Sequence, residues 1–219
     1  MVVGCERFVR QSSVHFKAGK LKDNPDRLHT LSSAGVFHSA NFGGNWTLSP
    51  ITAKWGGTSS LMDVEVSRAN ANIVWAGSGM IEPSQSLHVS TDAGLTFTPA
   101  LNPPAALMEG IITKLASHPT QPQTAYALFS LSKSPKILRT TDLGQTWEDI
   151  SDFDAIGTPA SNRGFPDVAV YCLYVRPDDP NILWAGTEIG IVESQDNGLT
   201  WALIPEFPAI SVLGYERPG

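Results

Sequence analysis

The sequence predicts an all-β fold of four-stranded antiparallel blades, a β-propeller, and three observations predict it. The first is a recurring octet: "SANFGGNW" at 39–46, "STDAGLTF" at 90–97, "TTDLGQTW" at 140–147 and "SQDNGLTW" at 194–201. The second is its period, since the copies start 51, 50 and 54 residues apart, which marks a repeat array. The third is what lies between copies: three strand-sized runs separated by turn residues, with the octet and a fourth run closing each unit. The 19 Gly and 16 Pro of the 219-residue chain suit so many turns.

The repeats divide the chain at about 1–50, 51–101, 102–151 and 152–206. In the first, "DNPDRLHTLSSAGVFHSANFGGNW" aligns without a gap to "DDPNILWAGTEIGIVESQDNGLTW" of the fourth, so the worn octet is a true copy. The second runs from "LMDVEVSRANANIVWAGSG" to "LHVS", and the third from "IITKLASHPTQPQTAYALFS" to "KILRTT". The fourth opens on the alternating "VYCLYV" and continues through "ILWAG". Residues 207–219 read as the start of a further blade or as a closing strand. Trp75, Tyr126 and Trp184 fall at one equivalent place on the second strand, which predicts packing between blades.

Within the octet each residue type has a local job. Ser39, Ser90, Thr140 and Ser194, with Asn41, Asp92, Asp142 and Asp196, offer side-chain oxygens to the free N–H groups of a turn. Gly43, Gly94, Gly144 and Gly198 supply a positive φ. Trp46, Phe97, Trp147 and Trp201 bury a large ring between neighbouring blades. All sixteen residues are therefore expected to be structural.

The pattern S-x-D-x-G-x-T-W resembles the Asp-box, or BNR repeat, found in sialidases, xyloglucanase-type glycoside hydrolases, sortilin-type receptor domains and photosystem II assembly factors. A further likeness, through "FPAISV" at 207–212, is to secreted bacterial proteins with BNR repeats. The resemblance covers about 23–201 and implies a propeller hairpin rather than an activity. It also implies a secreted or cell-surface location, although "MVVGCERFVRQ" contains no signal peptide. Propellers of this kind generally have six or more blades, so four repeats imply an incomplete propeller with open end blades and possible self-association.

Catalytic candidates are few. On the loop face, where second-to-third strand turns and inter-blade linkers gather, stand Glu82, Asp152, Asp154, Arg163, Asp167 and Glu188. A glycosidase needs two carboxylates at a set separation, and Glu188, Asp154, Asp167 and Glu82 are the residues that could supply them. Solvated loop acids are the blander reading. Sialidase chemistry needs an arginine cluster to clamp a carboxylate, and Arg27, Arg68 and Arg176 fall instead in turns between first and second strands. The five His show no metal-ligand spacing, so no metal and no cofactor is expected. Phe153, Phe165 and Trp55 are the only loop aromatics placed to stack on a sugar.

A net charge of -6 without a basic run argues against nucleic acid, and no apolar stretch is long enough to span a membrane as a helix. Cys5 and Cys172 are too few to define a redox compartment. The leading expectation is a non-catalytic module that binds glycan or protein through its loop face. The alternatives are a fragment of a xyloglucanase-type glycoside hydrolase and a scaffold for complex assembly.

Overall fold

The computed structural model describes residues 15–17, 26–32, 34–51, 55, 62–78, 87–100, 112–153 and 157–214. They form four antiparallel four-stranded sheets, each a meander in chain order. The first holds β1 (His15–Lys17), β2 (Leu28–Ser32), β3 (Gly35–Ser39) and β4 (Thr47–Leu48). The second holds β5 (Met62–Val66), β6 (Val74–Ser78), β7 (His88–Ser90) and β8 (Thr98–Pro99). The third holds β9 (Ile112–Ser117), β10 (Ala125–Phe129), β11 (Ile137–Thr140) and β12 (Glu148–Asp149). The fourth holds β13 (Val170–Val175), β14 (Leu183–Thr187), β15 (Gly190–Ser194) and β16 (Ala202–Leu203). No described residue is helical, and no described helix is long and apolar enough to cross a membrane.

The register repeats with the sequence. Leu28, Val74, Ala125 and Leu183 each pair with the first octet residue, Ser39, Ser90, Thr140 and Ser194. One step on, His29, Trp75, Tyr126 and Trp184 occupy the same position of the second strand, as the aromatic alignment predicts. The sheets pack face to face in chain order, first on second, second on third and third on fourth, with the leading strands β5, β9 and β13 side by side. Central strands buried on both faces carry apolar side chains almost continuously, as in "AYALF" of β10. Three clusters result. One joins Leu31 and Val36 to Val74 and Phe97, one joins Trp75 and Ala100 to Leu138 and Trp147, and one joins Tyr126 and Ile150 to Leu173 and Trp201.

Arg68 ties three sheets together. Its N–H donates to Ser117 Oγ on β9, while its Nη1 reaches the Val175 carbonyl at the end of β13 and its guanidinium lies 5.6 Å from the Tyr174 ring. Nothing in the local sequence around Arg68 announces that role.

The first two sheets meet through polar groups. His29 Nε2 stands 3.1 Å from the Ala93 carbonyl oxygen, and Ser49 Oγ donates to the Gly94 carbonyl at 2.5 Å while lying 2.9 Å from His38 Nδ1. Burial depresses the His29 pKa below its usual value; the Ala93 carbonyl works against this, and His38 and Arg27 add to it. A depressed imidazole pKa means that the unfolded chain binds the extra proton more readily, so stability is complete above about pH 6.5 and declines as the pH falls below it. Urea midpoints should drop between pH 7.5 and 5.5, and His29→Gln should shrink that drop. His38 and His118, depressed mainly by burial as well, act in the same direction. An equal drop in the variant would show that His29 folds without losing its proton.

The segment after β16 turns back on its own sheet. Val212 N–H donates to the Thr187 carbonyl at 2.8 Å, and a Cβ at Gly186 would collide with both Cys172 Sγ and Val212. Residues 210–212 therefore lie against the β13–β14 pair of the fourth sheet; 215–219 fall outside the described residues.

Candidate functional site

The four octets adopt one geometry. The first residue's hydroxyl donates to the Asn or Asp Oδ1 two positions on, at 3.0, 2.7, 2.8 and 2.8 Å. The same hydroxyl oxygen accepts the glycine N–H at 2.8 Å in every copy. That Oδ1 accepts the N–H of Asn45, Thr96, Thr146 or Thr200 at 2.8–2.9 Å. In the last three copies the threonine hydroxyl also donates to Oδ2 at 2.6 Å. The first copy has Asn41 and Asn45 in these places and so lacks that bond, the physical content of its worn sequence.

These bonds hold the carboxylates as anions. For Asp196 the Thr200 hydroxyl is the largest influence and lowers the pKa against the effect of burial. For Asp92 and Asp142 burial is the largest single influence and pushes upward, but the threonine hydroxyl and N–H bonds together outweigh it. A carboxylate saturated by turn donors is a poor proton carrier.

One feature of the turn escapes the glycine rule. The residue before each glycine also has positive φ: Phe42 at 57°, Ala93 at 64°, Leu143 at 59° and Asn197 at 61°. Only Asn197 is a residue type that favours this region. The sequence shows no preference at the other three because the side-chain bonds on either side impose the conformation.

At the other end of the sheets, the third and fourth repeats bring the loop candidates together. Asp167 Oδ1 lies 2.6 Å from Lys136 Nζ and accepts the Lys133 N–H at 2.8 Å. Lys136 is wholly buried, donates to the Leu131 carbonyl, and sits 5.1 Å from the Phe153 ring centroid. Glu188 Oε1 accepts the Ala169 N–H at 3.2 Å, two residues from Asp167. Both carboxylates thus stand beside the start of β13, each engaged by the protein's own donors. Glu82 and Asp154 lie outside the described residues.

Asp149 is an acid the sequence does not single out. Burial raises its pKa, while the bonds it accepts from Ser151 Oγ at 2.5 Å, Phe153 N–H at 2.8 Å and Ser151 N–H at 2.8 Å oppose that rise. All three donors belong to the turn that follows Asp149, so its signal was an Asp-x-Ser-x-Phe spacing. Nearby, Lys133 and Asp152 adopt positive φ at 55° and 54°, and the Lys133 carbonyl accepts the Gly157 N–H at 2.6 Å.

Other loop expectations are corrected. Arg163 does not face a shared cleft: its Nε is 3.5 Å from Asp152 Oδ2, and its Nη1 donates to the Gly198 carbonyl in the fourth octet at 3.1 Å. Phe153 and Phe165 are core residues, the latter set edge-on to Trp201 at 5.0 Å. Trp55 packs on the first apolar cluster and donates to the Ser32 carbonyl at 3.3 Å. Neither phenylalanine can offer a face to a sugar, because each ring completes an apolar contact between repeats. Among the described residues no group of three His, Cys, Asp or Glu could hold a metal ion.

No family model matches the chain. A xyloglucanase, Xgh74A of Acetivibrio thermocellus, is 30% identical over 105 residues, which is 44% of this chain and 12% of that protein. The chain therefore spans about an eighth of the length of that relative. Among solved structures, the GH74 xyloglucanase of Xanthomonas campestris superposes with a TM-score of 0.59 at 17% identity, covering 90% of this chain and 30% of that one. An ancestral GH74 enzyme gives 0.56 at 16%, covering 87% and 23%. YCF48 from Cyanidioschyzon merolae gives 0.54 at 16%, covering 85% and 56%. With four antiparallel four-stranded sheets already in view, these likenesses show that the chain has a β-propeller fold.

Proposed function

We propose that the chain is a non-catalytic Asp-box propeller module of a secreted or cell-surface protein, holding a glycan on its loop face without cleaving it. The observation that carries this reading is the engagement of Asp167 by the buried Lys136 and the Lys133 N–H. A carboxylate that balances a buried ammonium cannot leave it to serve as nucleophile or base without exposing that charge. The octets, closed by their own hydrogen bonds, keep the sixteen motif residues in structural roles. The likeness to xyloglucanases favours a β-glucan over a protein ligand.

A second reading, a portion of a xyloglucanase-type hydrolase, is favoured by the 30% identity over 105 residues. One experiment separates the two: titrate the purified chain with xyloglucan oligosaccharides by calorimetry and follow reducing ends in the same samples. Binding heat without release of reducing ends is expected. Turnover that disappears in Glu188→Gln would install the hydrolase reading, and absence of heat with every glycan tried would rule out the glycan ligand.

A further inference from the structure

The first octet departs from the other three at two positions together. Asn41 stands where the others have Asp92, Asp142 and Asp196, and Asn45 stands where they have Thr96, Thr146 and Thr200. In those three the threonine hydroxyl is engaged by the aspartate Oδ2 at 2.6 Å. In the first copy the Asn45 backbone N–H still reaches Asn41 Oδ1 at 2.9 Å, so the turn closes while the Asn45 side chain takes no part in it. Among the described residues its amide group has no hydrogen-bond partner. The paired change therefore releases one side chain from the turn, and the side chain released is an asparagine two places before a threonine.

Asn45-Trp46-Thr47 is an Asn-x-Thr triplet whose middle residue is not proline, and no other Asn-x-Ser or Asn-x-Thr triplet occurs in the 219-residue chain. That spacing is the acceptor signal for N-glycosylation, in which an asparagine amide and a hydroxyl two residues on are read together. It serves only on an open surface, because the attached sugar is bulky and hydrated. Asn45 and Thr47 are both exposed. Their exposure belongs to the octet rather than to its place in the chain. Thr96, Thr146 and Thr200 are exposed as well, and so are Thr98, Glu148 and Ala202 at the place of Thr47, although the second, third and fourth octet turns pack against a preceding sheet. A sheet placed before the first would leave both residues open to solvent.

We propose that Asn45 carries an N-linked glycan, a site that rests on the secreted or cell-surface reading above because donor and transferase belong to a secretory pathway. The donor is a lipid-linked oligosaccharide diphosphate. Asn45 Nδ2 forms a bond to the anomeric carbon of the sugar as the bond from that carbon to the diphosphate oxygen breaks. The amide gives up one proton, and the lipid diphosphate leaves with the electron pair. In the fourth sheet β15 runs from the Glu188 turn to the octet, so octet turns and loop face lie at opposite ends of a sheet. A glycan at Asn45 thus leaves the loop face free.

The full chain, placed behind a cleavable secretion signal and expressed in a eukaryotic cell, should emerge heavier than its polypeptide mass of 23.5 kDa. Peptide N-glycosidase should return it to that mass and convert Asn45 to aspartate, a conversion read by peptide mass spectrometry. Asn45→Gln and Thr47→Ala should each abolish the added mass, whereas Thr47→Ser should keep it, because the hydroxyl is what is read. The double variant Asn41→Asp with Asn45→Thr rebuilds the octet of the other three sheets. It should carry no glycan and keep a urea midpoint at or above that of the wild type, so its loss of mass cannot come from misfolding. A wild-type chain that leaves the cell at its bare polypeptide mass overturns the site, and so does added mass that survives Asn45→Gln. The supplied signal makes this result bear on Asn45 alone; the secreted reading is tested apart from it, by locating the protein inside or outside its native cells.

Discussion

Replacing Trp201 with alanine is expected to remove about 3–5 kcal/mol of stability, the range for truncating a buried large aromatic. The loss falls toward the upper end because the ring does three things at once. It fills the cluster shared by the third and fourth sheets, lies edge-on to Phe165, and donates from Nε1 to the Ile150 carbonyl at 2.8 Å. Truncation leaves a cavity and strips that buried carbonyl of its indole donor, so no relaxation of one contact repairs the others. A domain of this size holds on the order of 5–15 kcal/mol in total. Urea unfolding followed by circular dichroism should show the shift, with Leu199→Ala, at an exposed position of the same octet, almost unchanged. A wild-type midpoint for Trp201→Ala would sink the junction role of the octet aromatic.

Asp167→Ala is expected to cost about 3 kcal/mol, and the ordering of its companions matters more than that figure. Removing Asp167 leaves the buried Lys136 ammonium, among the described residues, with the Leu131 carbonyl and the Phe153 ring, and the Lys133 N–H loses its acceptor. Lys136→Met is the milder change, because the Asp167 side chain is 26% exposed and can turn its charge to water. The double variant should therefore resemble Lys136→Met rather than the sum of the two losses. Denaturant midpoints of the three proteins decide it. If Lys136→Met proves the most damaging, the lysine stem and not the ion pair organises this corner.

The same pair explains why the loop candidates were only partly legible. Asp167 and Glu188 are ordinary loop acids in sequence, and nothing near either names its partner. The partner of Asp167 is a lysine 31 positions earlier, at the start of a strand in another repeat, where Lys136 reads as a surface residue. Phe153 and Phe165 read as loop aromatics for the same reason, since their burial is created by the neighbouring sheet. Asp149 is not marked by its sequence although its donors are close by, because its raised pKa comes first from burial and burial is not written in the turn.

The octet lies at the other extreme. The side-chain bonds that close it join residues no more than four positions apart, so residue type and spacing determine the turn, its glycine and the strand that follows. Repetition at about fifty residues then determines four such hairpins and hence the blade. What only the tertiary structure decided is which surfaces those blades share. The reach of Arg68 from the turn after β5 to the end of β13, and the exposure of Phe42 where its counterpart Ala93 is buried, both depend on which sheet stands next to which. A local hydrogen bond is encoded by its two residues, whereas burial is a property of the neighbour, and the neighbour is chosen by the packing of the whole chain.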